Sequence, residues 1–173
     1  SYMYPQSLPI EKVGRVINEE GGYYDDGIVK FSPDGDILFE KSVSQIFIDN
    51  GLEYLLFAMG GEGKFNIDPI HLNDIQPVNF DGEFWKKGDL FLSPLGPSMI
   101  ILYRPSTNKI VWKGSGPFFN QHDVDILSDH VISIYNNNSK SFSNGYIVDG
   151  HNEIILYNFK TNQYSTYQSE SLI

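Results

Sequence analysis

Two of the chain's four histidines sit in matching settings: His71-Leu72-Asn73-Asp74-Ile75 and His122-Asp123-Val124-Asp125-Ile126 lie 51 positions apart. A neutral imidazole is a competent nucleophile towards phosphorus or sulfur and needs no cofactor for it. A second imidazole and a side-chain amide can supply N–H donors to a transferring oxyanion group. His71, Asn73 and His122 are therefore the candidate site, and the chemistry calls for no cofactor. As a metal site the set is weak, because two His with no flanking carboxylate on their face make a poor ligand group. The same residues have a plainer reading, in which a repeated His-x-x-Asp ties strands together by hydrogen bonds. Both readings stand at this point.

Other polar motifs read as turns. His130 follows Ser128-Asp129, and His151 lies in Asp149-Gly150-His151-Asn152. Asp34-Gly35-Asp36 and Asp81-Gly82-Glu83 lack the ligand spacing of a calcium loop and suit hairpin turns. Trp85-Lys86-Lys87 reads as a solvated turn with an anchoring ring. Asn137-Asn138-Ser139 fits the glycosylation sequon, a pattern too short to carry weight alone.

The elements that must position the histidines follow from internal repetition. Ile100 to Asn108 (IILYRPSTN) returns as Ile154 to Asn162 (IILYNFKTN), 54 positions on, and each is an apolar run, a polar turn and a second run. A shorter copy runs from Ile28 to Phe39 around Ser32-Pro33-Asp34-Gly35-Asp36, a hairpin signal. Before each later hairpin come a His-bearing strand and a further strand, Asp89 to Ser93 or Val131 to Tyr135. If the His segments are extended, His71 shares a face with Asn73, and His122 with Val124. Four strands in about 50 residues is the size of a propeller blade. Ser42 as N-cap and Asn50-Gly51 as a stop predict a two-turn helix, with a second short turn within Leu52 to Phe57. Asn136 to Gly145 reads as an exposed polar loop.

The expected fold is all-β: a partial β-propeller of about three blades of antiparallel strands with a short helical insertion. One domain covers 1–173, with a hairpin unit at 23–42, a helical insertion at 43–59 and blade-like units at 68–115 and 120–169. Two full units and one partial unit do not close a ring, so the chain reads as a fragment that self-associates through open propeller edges. A β-sandwich is the alternative architecture.

Composition narrows the partners. The chain has 173 residues, 12 Lys+Arg against 22 Asp+Glu, and a net charge of −10, so no basic face exists for nucleic acid or an anionic membrane. Aromatic residues make up 14%, too many for a disordered acidic tail. With no Cys, thiolate chemistry and disulfides drop out. No apolar run is long enough to span a membrane, and no targeting segment is visible at the start.

Taken in order, Ile70 to Asp74, then Trp85 to Ser93, then Ile110-Val111-Trp112, then Gln121-His122-Asp123, the sequence resembles the arylsulfotransferase family. That family consists of propeller proteins that move a sulfuryl group between phenolic compounds without a nucleotide sulfate donor. The resemblance covers roughly residues 65–140. It implies that His122 is the nucleophile and carries the group as a sulfohistidine. His71 and Asn73 would hold the sulfuryl oxygens or assist the phenolic oxygen. The partners would be a small phenolic sulfate donor and a phenol acceptor, in an extracytoplasmic setting. One position departs from the family's pattern, which has an Arg shortly after the Ser of the "LS" strand. Here Ser93 is followed by Pro94-Leu95-Gly96-Pro97, and the nearest Arg is Arg104.

Overall fold

Strand-forming runs separated by Pro, Gly and Asn turns give the chain its architecture, which a computed structural model describes for residues 2–7, 22–58, 67–142, 145–148 and 150–167. The chain divides into two compact units, Ser1–Leu72 and Asn73–Ile173.

In the first unit, β1 (Tyr2–Ser7), β2 (Gly22–Phe31) and β3 (Ile37–Ser42) form an antiparallel sheet in the order β1-β2-β3. The hairpin turns at Ser32–Asp36, where the Ser32 backbone N–H donates to the Asp36 carbonyl over 2.8 Å. Helix α1 (Val43–Asp49) starts where Ser42 Oγ accepts the Gln45 N–H at 3.0 Å and ends at Asn50. A single turn, α2 (Tyr54–Phe57), follows. Ile28, Val43, Ile46, Phe47, Leu52 and Leu56 are buried in this unit.

The second unit holds two four-stranded antiparallel sheets. One runs β4 (Leu72–Pro77), β5 (Leu90–Pro94), β6 (Met99–Arg104), β7 (Lys109–Ser115) in sequence order. The other runs β8 (Val124–Ile126), β9 (Val131–Asn136), β12 (Glu153–Asn158), β13 (Gln163–Thr166). Between β9 and β12 sits a hairpin of its own, β10 (Ser139–Phe142) with β11 (Gly145–Val148). That stretch was expected to be a polar loop. The β-forming run Tyr146-Ile147-Val148 pairs it instead, with those three side chains exposed.

The two sheets share one core of Trp85, Phe91, Ile100, Leu102, Phe118, Val124, Ile132, Ile134, Ile155, Tyr157 and Phe159. Rings dominate it: Phe159 lies 5.3 Å from Trp85, 4.8 Å from Trp112 and 4.9 Å from Tyr157 between centroids. Trp85 is thus the buried anchor its turn was expected to carry. The all-β expectation and the helical insertion match the structure. Among the described residues no sheet closes on itself, and no helix is long and apolar enough to cross a membrane.

Candidate active site

The Gln121-His122-Asp123 segment is pinned from several sides within the second unit. Gln121 is fully buried. Its side-chain amide donates to the carbonyls of Met99 (2.8 Å) and Pro94 (2.9 Å) and meets Ser93 Oγ at 3.2 Å. The Asn73 amide donates to the Gln121 carbonyl at 3.1 Å, so Asn73 holds the peptide immediately before His122. Asp74 Oδ2 accepts the Val124 N–H at 3.3 Å. The His122 N–H donates to the Tyr135 carbonyl, and the Tyr135 N–H to the Asp123 carbonyl. His122 is therefore fixed through its backbone and its neighbours, while the residue itself is exposed.

Asn73 spends one of its two amide hydrogens on this anchoring. Burial raises the Asp74 carboxyl above its ordinary value; the Val124 N–H works against that, and the Asp123 and Asp125 charges add to it.

His71 belongs to the first unit. It does not lie in a strand, since β4 begins at Leu72. Its φ is 51°, the left-handed region, which costs an L-residue roughly 1–2 kcal/mol. The expected strand face shared by His71 and Asn73 therefore fails, because alternation needs extended backbone. His122 likewise precedes β8 rather than lying in it. What holds His71 is its surroundings. Ile70 is fully buried on one side, and on the other the Leu72 N–H donates to buried Asp26 Oδ2 at 2.7 Å. The ring's Nδ1 lies 2.6 Å from Asp68 Oδ2. Burial pushes the Asp26 carboxyl up, the Leu72 N–H draws it down, and the Asp68 charge pushes it up again.

Arg104, the nearest guanidinium to Ser93 in sequence, is engaged elsewhere. Its Nε and Nη2 donate to Asp89 Oδ1 and Oδ2 at 2.8 and 2.7 Å, and Asp89 is 2% exposed. Burial works to raise the Asp89 carboxyl, but the Arg104 hydrogen bonds, the Lys86 N–H and the two cations together hold it below its ordinary range.

The remaining polar motifs are local. His130 Nδ1 pairs with Asp129 and meets Ser128 Oγ at 3.4 Å in the bend before β9. One nitrogen serves both partners, so no nucleophile relay forms. The sequon's Asn137 donates its amide to the Asn120 carbonyl at 2.7 Å.

Gln121, Asp68 and Asp26 were not singled out as supports by sequence reasoning. The Gln121 side-chain N–H groups reach acceptors 22 to 28 residues back in the chain, a partnership with no local signal. Asp26 and Leu72 are separated by 46 positions. Asp68 alone had a readable cue, its three-residue spacing from His71.

A family model described as Arylsulfotransferase (ASST) matches residues 2–172. No curated protein and no solved structure matches the chain.

Proposed function

The chain belongs to the arylsulfotransferase (ASST) family, and from that membership we propose that it transfers a sulfuryl group between phenolic compounds through a sulfohistidine at His122. In the first step an imidazole nitrogen of His122 attacks sulfur, the S–O bond to the aryl group breaks, and the phenol leaves. In the second, an acceptor phenol attacks the same sulfur, the N–S bond breaks, and its electron pair returns to His122. The second N–H of the Asn73 amide suits a sulfuryl oxygen. This assignment assumes blade-like sheets in a partial propeller, the family's architecture.

The observation that carries the reading is the anchoring of the His122 backbone beside an exposed ring. A nucleophile needs such fixation to attack in line. One observation favours a second reading, a non-catalytic β-propeller binding or assembly module: Arg104 is committed to Asp89, and a bidentate cation for the sulfuryl group is missing after Ser93.

Steady-state kinetics with 4-nitrophenyl sulfate and phenol separate the two. Transfer through His122 gives parallel-line, two-step kinetics with a burst of 4-nitrophenol. His122→Gln lowers the rate on the order of 10³-fold or more, and His130→Ala leaves it intact. A folded chain that releases no 4-nitrophenol supports the binding module.

A further inference from the structure

We propose that Phe119 and Lys140 form a subsite next to His122 that selects phenols carrying an anionic group across the ring from the hydroxyl. The subsite lies wholly within the second unit, and its part in catalysis rests on the transfer reading above. Lys140 Nζ stands 5.3 Å from the centroid of the Phe119 ring, and Phe119 is 44% exposed. An arriving aryl group therefore meets an aromatic surface and a positive charge together. Phe119 precedes His122 by three residues, so their Cα atoms are at most about 11 Å apart. A benzene ring with substituents at opposite corners is shorter than that. With the phenolic oxygen at His122, the far substituent comes within range of the ammonium.

Hydrogen bonds fix the pair in place. The Phe119 N–H donates to Oδ1 of buried Asn136 at 2.9 Å, and the Asn120 N–H to Ser98 Oγ at 3.2 Å. The Asn120 amide donates to the Ser139 carbonyl at 2.9 Å, and the Asn137 amide to the Asn120 carbonyl at 2.7 Å. The backbone around the ring and the start of the hairpin that carries Lys140 are thus tied together. An exposed ring held this way is pre-organised and takes another ring at low entropic cost. The charges around it make the lysine informative. Asp123 and Asp125 are exposed beside His122, and the whole chain carries a net charge of −10, a field that repels anions. Arg104 is bound to Asp89 and Lys160 faces Asp129, both at the ends of the strands away from Gln121. Lys140 is the cation that these hydrogen bonds bring to the His122 end.

Chemical-shift titration of the ¹⁵N-labelled full chain with 4-hydroxybenzoate and with its neutral methyl ester tests the subsite without turnover. The acid should bind about 3- to 5-fold more tightly, and the preference should shrink as salt is raised. The largest shifts should fall on Phe119, Asn120 and Lys140. Lys140→Gln should bring the two affinities together, Lys140→Arg should keep the preference, and Phe119→Leu should weaken both ligands. Equal affinities in the wild type, a preference that survives Lys140→Gln, or shifts confined to other residues would overturn the proposal. The second arm follows discharge of the sulfurylated protein to the same two phenols. The ratio of kcat/KM values should favour the acid and fall to about one in Lys140→Gln. Sulfurylated protein that discharges equally to both overturns the subsite and leaves the transfer reading standing. Selective binding at this junction by a chain that never becomes sulfurylated upholds the subsite and refutes the transfer reading.

Discussion

Asp89 keeps its charge in a buried place because Arg104 meets it with two N–H···O bonds and the Lys86 N–H adds a third at 2.8 Å. Arg104→Leu would strand that carboxylate, and breaking such a pair from one side costs about 3–5 kcal/mol. Because the Asp89 carboxyl lies below its unfolded value of 3.8, its stabilisation is whole above that pH and drains as pH falls through the folded value. Urea unfolding at neutral pH and down the acid limb should show wild type losing stability below pH 4. Arg104→Leu should be weaker at neutrality and show a flatter acid limb. Equal stabilities at neutral pH would mean that the pair is dispensable. The same residue shows where sequence reading stops. That no Arg stands within the four residues after Ser93 is legible, but the commitment of Arg104 depends on strand pairing that brings positions 89 and 104 together.

The hairpins at β6–β7 and β12–β13 are built alike. Tyr103 donates its hydroxyl to Asn108 Oδ1 at 2.9 Å, and Tyr157 donates to Asn162 Oδ1 at 3.1 Å. Both asparagines are left-handed, with φ of 53° and 55°. The tyrosine-to-asparagine spacing visible in IILYRPSTN and IILYNFKTN is thus a turn brace. Asn162→Ala loses the bond and adds backbone strain, for about 2 kcal/mol in all, whereas Asn162→Gly keeps the turn and loses about 1 kcal/mol. Thermal or urea unfolding of the two variants should rank them in that order; the reverse order would deny the backbone's part. Elements with local signals were legible for this reason: a turn residue, a cap at Ser42 or an alternating run acts within a few residues. The strands of these two segments were legible, but His71 and His122 themselves lie just before β4 and β8, where distant partners hold the backbone, the Asp26 carboxylate for Leu72 and the Asn73 amide for the Gln121 carbonyl.

Across the second unit, the two sheets share a core rich in rings, and that packing tolerates little added volume. A Cβ on Gly114 would come within 2.6 Å of the Tyr164 hydroxyl and 2.7 Å of the Trp112 ring. Gly114→Ala should therefore destabilise by about 1–3 kcal/mol in urea unfolding, and a neutral effect would show that the ring packing is loose. Aromatic content and the repeat made an all-β chain legible. The pairing of β1 with β2 and the β10–β11 hairpin were not, since each depends on which run finds which partner. The claim that joins these scales is that His122, held by Gln121 and Asn73, accepts a sulfuryl group. Intact-protein mass spectrometry after mixing the full chain with an activated aryl sulfate at neutral pH reads it most directly. A gain of one sulfuryl group that His122→Ala abolishes and His130→Ala retains is the predicted result. A folded chain with no adduct, or an adduct that survives His122→Ala, would contradict it.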